Sequence, residues 1–209
     1  MKRIFAILLI TLAVTLSARA QEHTQRPSST PRPSTTPRPS ITPTAPRSTS
    51  TPRPSTGVTD DGGWVRFNSP EGRFVVLMPE TPTDKQSVEQ SEHGPYTTHL
   101  FIVRDPQSVY LIGWVDYDPK FNFNRSLELE ANRDNFVKGI SAKLVDTRNT
   151  EIDGYPALEF TCETTDRIFK SRVYMVGRRP YQIVIGSPKG VDDSITLNRF
   201  FNSFKVSRQ

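Results

Sequence analysis

The sequence predicts an α+β domain, a mainly antiparallel sheet with helices packed on both faces, and three observations predict it. Seven strand-like runs are separated by short turn signals. Two further segments carry helical periodicity. Two of the strands, Phe101-Ile102-Val103 and Val109-Tyr110-Leu111-Ile112-Gly113-Trp114-Val115, are apolar at odd and even positions alike, so both of their faces must be covered.

In chain order, strands are expected over 64–68, 73–78, 96–104 and 109–116, with turns at Ser69-Pro70-Glu71-Gly72, His93-Gly94-Pro95 and Asp105-Pro106. A helix follows over 126–142. It opens on the capping residue Ser126, places Glu128 and Glu130 in its early turns and aligns Leu129, Arg133, Phe136 and Ile140 on one face. Arg133 interrupts that apolar stripe, so it is expected to snorkel at the edge. Strands over 157–163, 168–176 and 181–185 come next, with a turn at Asp153-Gly154 before them. The last helix, about 193–204, aligns Ile195 or Leu197 with Phe200, Phe201 and Phe204 and pins itself to the sheet through the phenylalanines. Residues 63–209 suit one domain with one core.

The chain ahead of this domain has a different composition. Residues 1–20 read as a secretory signal peptide: a cationic start at Lys2 and Arg3, an uncharged run from Ile4 to Leu16, and Ala18-Arg19-Ala20 as the cleavage site. The apolar run is short for a bilayer, which takes about 20 residues, so membrane contact is expected only peripherally, with an uncleaved signal serving as an anchor the weaker alternative. Residues 21–62 read as a disordered Pro/Ser/Thr/Arg-rich linker that repeats Thr-Pro-Arg-Pro-Ser from Thr30, Thr36 and Thr51. Proline removes amide donors and disfavours helix before it, and almost no apolar side chain is present to bury. At about 3.1 Å per residue the linker's most biased stretch, residues 26–56, is a semi-rigid spacer reaching at most roughly 100 Å. An exported protein, periplasmic or extracellular, is therefore expected.

The formal charge of +5 divides unevenly. The leader and the linker carry all of the excess, leaving residues 57–209 slightly acidic at −2. Nucleic-acid binding by the domain loses its support. The positive charge lies instead on Arg26, Arg32, Arg38, Arg47 and Arg53, spaced to hold the linker near anionic lipid headgroups, glycans or wall polymers through weak, salt-screened contacts. A plain spacer is the alternative.

Few residues suggest chemistry. The single cysteine, Cys162, lies in an alternating strand and reads as a small buried apolar residue. Nucleophilic catalysis needs a Ser or Cys beside a base, and only His93 and His99 stand beyond the linker; there is no Gly-x-Ser-x-Gly elbow and no Gly-rich phosphate loop. Ser187 reads as a turn residue. Alternation at a strand end puts the carboxylates of Asp116 and Asp118 on one side, with Asn122 and Asn124 near, a hard-oxygen set suited to calcium or manganese or else a solvated strand exit. Trp64 and Tyr155, beside glycines at element edges, are candidates for an interface or ligand contact. No cofactor is expected.

Trp64-Val65-Arg66-Phe67, Pro70-Glu71-Gly72-Arg73-Phe74, Leu77-Met78-Pro79 and Thr81-Pro82 resemble the opening of small exported bacterial domains related to the PsbP-like proteins. Gly154-Tyr155-Pro156, the run from Arg172 to Gly177 with Tyr181, and Arg199-Phe200-Phe201-Asn202-Ser203-Phe204 resemble the same group. The resemblance spans about 64–206 and implies a PsbP-like α/β/α sandwich. PsbP-like proteins are extrinsic, non-enzymatic partners of membrane complexes, but the matched residues are mostly turn formers and core aromatics, so the resemblance carries the fold and not that function.

The leading expectation is a non-catalytic exported binding or assembly module, held off the membrane or envelope by the Pro-rich spacer and docking on an envelope protein or anionic polymer. A small-molecule or metal-binding domain is the alternative, and a hydrolase ranks below it. Replacing Arg26, Arg32, Arg38, Arg47 and Arg53 by Ser is expected to release the protein from the envelope fraction at low salt. Unchanged fractionation would leave the linker a spacer only.

Overall fold

A computed structural model of the chain describes residues 55–59, 62–91, 94–121 and 124–207. The leader, most of the linker with its five arginines, His93 and Asn122 lie outside these residues. The elements in order are β1 (Ser55–Thr59), β2 (Val65–Ser69), β3 (Phe74–Met78), β4 (Thr83–Ser91), β5 (Gly94–Arg104), β6 (Val109–Tyr117), α1 (Arg125–Gly139), β7 (Lys143–Ile152), β8 (Tyr155–Glu163), β9 (Arg167–Val176), β10 (Arg179–Pro188), α2 (Ser194–Ser203) and β11 (Lys205–Val206).

The strands form two sheets, one of seven strands in the order β4-β5-β6-β10-β9-β8-β7 and one of four in the order β1-β2-β3-β11. Their pairings are antiparallel. The α+β class and the antiparallel sheet are as the sequence predicts. The layering differs. Strands β2 and β3, expected in the main sheet, build a separate small sheet with β1 and β11. β1 itself falls at the end of the stretch assigned to the linker.

The doubly apolar strands are the reason for two cores. Every residue from Val109 to Val115 in β6 is buried, and so is the run from Pro180 to Ser187 in β10. On one face, Leu111, Val115 and Val184 join Leu129 and Phe136 of α1, together with Phe160, Phe169 and Cys162. On the other, Ile112, Trp114, Ile183 and Ile185 meet Phe67, Phe74 and Val76 of the small sheet and Phe200, Phe201 and Phe204. Phe74 is fully buried at the centre of this second core. Its ring lies against those of Phe101, Trp114, Tyr181 and Phe204 at 5.3–6.4 Å between centroids, within the range in which edge and tilted aromatic pairs attract.

Helix α1 is capped by Asn124, whose side chain accepts from the Ser126 and Leu127 amides, and not by Ser126. Arg133 is half-buried and reaches Asp134 and Thr147, as a snorkelling residue does. In α2 the inward residue is Leu197, while Ile195 is 85% exposed. Asp193 is the N-cap residue of α2, but its side chain makes no capping hydrogen bond: it accepts from Ser187 Oγ at 2.9 Å and from Lys170 Nζ at 2.6 Å. Ser187 thus closes a buried contact at the end of β10.

Two buried polar residues on α1 were not foreseen. Glu128 is buried against β6, accepting from the Tyr117 hydroxyl and from Asn132 Nδ2. Burial pushes its carboxyl above the ordinary 4.5, and these hydrogen bonds offset only part of the rise. A carboxyl raised in this way gives its full contribution to stability below pH 4.5, and that contribution is lost as pH rises through the folded-state value. Glu128→Gln, which mimics the protonated group, is therefore expected to raise stability at pH 7 by about 1 kcal/mol. Urea denaturation should show the two proteins converging below about pH 4.

Candidate functional site

The sheet register at one end of the sandwich gathers the residues of the site. Cross-strand pairing places Tyr181 of β10 opposite Trp114 of β6, and Trp114 opposite His99 of β5. Asp116 and Arg179 lie two residues beyond Trp114 and Tyr181 on the same face. Arg179 holds Asp116 Oδ1 through Nε at 2.7 Å and Nη2 at 2.5 Å, a two-point grip that fits the planar guanidinium. Asp116 Oδ2 accepts from Trp114 Nε1 at 3.2 Å and lies 3.3 Å from His99 Nε2. His99 is buried and stacked flat on the Trp114 indole, 4.3 Å between centroids.

The network also grips the turn between β2 and β3. Arg179 Nη1 donates to the Glu71 carbonyl at 2.9 Å, and the Tyr181 hydroxyl donates to the Gly72 carbonyl at 2.8 Å. Within the turn, the Gly72 amide donates to Ser69 Oγ at 3.0 Å. Gly72 is required there, because a Cβ would meet Phe74 Cε1 at 2.5 Å and Ser69 Oγ at 2.7 Å. The next residue, Arg73, adopts φ 54°, a left-handed conformation that favours glycine.

Beside this network opens a cleft of about 800 Å³ whose lining includes Arg73, Asp116, Tyr155, Arg178, Arg179 and Val206. Arg178 Nη2 donates to the Asp118 and Phe121 carbonyls. A smaller cleft of about 220 Å³, lined by Asp153, Tyr174, Phe204 and Lys205, shares Tyr155 and Val206 with the first. The two therefore adjoin at these residues.

The residues singled out in the sequence take these places. Asp116 is an ion-paired residue of the cleft, its carboxyl held below its ordinary 3.8 because His99, Arg179 and Trp114 outweigh the upward push of burial. Asp118 accepts from the Lys120 amide at 2.8 Å in a local turn. Among the described residues, no three or more His, Cys, Asp or Glu side chains converge in a way that could hold a metal. Tyr155 is half-buried and faces both clefts. Trp64 is half-buried, edge-on to Tyr110 at 5.6 Å with the Arg199 guanidinium 4.8 Å above its ring. Cys162 is fully buried, which pushes its thiol up to about 12. The arginines at 73, 178 and 179 were missed. Their one sequence signal is an arginine in the last position of a Pro-Glu-Gly turn and an Arg-Arg pair directly after a glycine.

A search of solved structures finds the solution structure of cyanobacterial PsbP, CyanoP, from Synechocystis sp. PCC 6803, with a TM-score of 0.50 at 12% identity over 72% of this chain and 94% of that one. The fold resembles that of PsbP. A second structure, from Bacteroides thetaiotaomicron, aligns at a TM-score of 0.30 and 16% identity over 68% of this chain and 47% of its own. No family model and no curated protein matches the sequence. Among the described residues no helix is long and apolar enough to cross a membrane.

The depressed carboxyl of Asp116 makes its contribution to stability present above pH 3.8 and lost as pH falls through the lower folded-state value. Because the side chain is partly exposed, Asp116→Asn is expected to cost about 1–2 kcal/mol at pH 7, less than breaking a buried pair. The difference from the parent should shrink toward pH 2–3 in an acid denaturation series.

Proposed function

We propose that the protein is a non-catalytic exported binding or assembly module, carried on its Pro-rich spacer away from the membrane or envelope, that docks an envelope partner through the arginine-rimmed cleft. The cleft carries the proposal: it joins three arginines, Tyr155 and an apolar floor at one end of the sheet. The contacts of His99 support a binding role over hydrolysis. Among the described residues its partners are Asp116, Glu71 and the Trp114 ring, with no serine or thiol among them. The likeness to PsbP supports a sandwich in which α1 and α2 serve opposite faces of the main sheet. Leu129 and Phe136 in one core, and Phe200 and Phe201 in the other, favour that arrangement.

A second reading, small-molecule binding, draws on the cleft volume, which falls in the range of ligand pockets. Crosslinking pull-downs from envelope extract with the full chain and with a chain lacking residues 26–54 separate the two. One protein recovered by both is the expected result. Recovery of nothing, with a thermal shift from a metabolite panel, would support the second.

A further inference from the structure

We infer that the cleft takes a carboxylate-bearing peptide segment of the partner, laid in extended form along the free edge of β11, with Arg73 as its ion-pairing residue. The inference rests on the docking role proposed above and names the chemistry of what docks.

Three features carry it. The first is shape. β11 ends the small sheet, so one side of its Lys205–Val206 backbone pairs with β3 and the other pairs with no strand among the described residues. The two clefts share Val206 and Tyr155, and Val206, opposite Phe74 and next to the bonded Ser207–Arg73 pair, turns its amide and carbonyl away from β3. An extended peptide uses such an edge by adding a strand, which a free anion does not.

The second is charge. Three arginines line the larger cleft against a single carboxylate, Asp116, and Arg179 neutralises that one. A cationic groove on a domain with net negative charge selects an acidic ligand.

The third is Arg73 itself. Its side chain is exposed on the cleft and makes no hydrogen bond or ion pair among the described residues. Its backbone nevertheless sits where glycine is unstrained, held by the Arg73 amide to the Pro70 carbonyl, by Ser207 donating to the Arg73 carbonyl, and by Arg179 and Tyr181 on the two residues before it. An arginine kept in a strained position with no side-chain partner among the described residues points to a ligand that pairs with it.

The test is an NMR titration of the ¹⁵N-labelled full chain with a capped eight-residue peptide alternating Glu with Val or Thr, its Lys counterpart, sodium acetate and a galacturonate oligomer. The Glu peptide should shift the Tyr155, Val206 and Ser207 amides, and the Lys peptide should not. Arg73→Gly should weaken Glu-peptide binding about tenfold while its melting temperature rises, because the strain is relieved. The linker arginines are identical in both proteins, so the difference reads the cleft alone. Unchanged affinity in Arg73→Gly, shifts confined to the linker, or an equal response to acetate would overturn the inference; so would tighter binding of the galacturonate, which would make the ligand a uronate polymer. If the pull-down recovers a partner that the Glu peptide does not displace, this inference fails and the docking role stands; if neither binds, both fail.

Discussion

The architecture depends on two adjacent strands, β6 and β10, that carry apolar side chains on both faces. Such strands cannot face water on either side. One core joins them to residues of α1, and the other joins them to the second sheet and to phenylalanines of the C-terminal segment. Phe74 shows how tightly the second closure is made, since it touches aromatic rings from the main sheet and from the C-terminal segment at once. Burying that ring fixes the start of β3, and with it the turn that precedes it.

The same register that builds the core sets the electrostatics at the end of β6. Asp116 and Tyr117 are neighbours in sequence and point to opposite faces. On the face shared with the small sheet, Asp116 meets a guanidinium and its carboxyl is held down. On the helix face, Tyr117 meets Glu128, and that carboxyl is pushed up because burial is answered only by neutral donors. Two carboxyls anchored to adjacent residues of one strand end therefore respond to pH in opposite senses. The low one braces the turn that carries Arg73, and the high one loads the seam between α1 and the sheet.

The central strands and both helices were legible in the sequence because burial is written as apolar runs and as a helical stripe. β4 was not, since Thr83–Ser91 is an edge strand with almost every residue exposed and polar, and pairing with β5 alone makes it a strand. β7 is polar for the same reason. The site was half legible. Asp116 and Tyr155 stood out as a carboxylate and an aromatic at element ends, but Arg179 lies 63 residues from Asp116 and meets it only through the β6–β10 register. Arg73 left a local trace, an arginine where the turn favours glycine, which becomes meaningful only once φ is known.

Cys162 has a consequence of a practical kind. It is the only thiol in the chain, it is sealed in the core, and burial keeps it protonated far above neutral pH. The molecule is therefore chemically silent toward thiol reagents while folded. A cysteine introduced on the groove wall would be the single reactive sulfur, so a fluorophore or crosslinker placed there would report on one address without first stripping the native residue from the core.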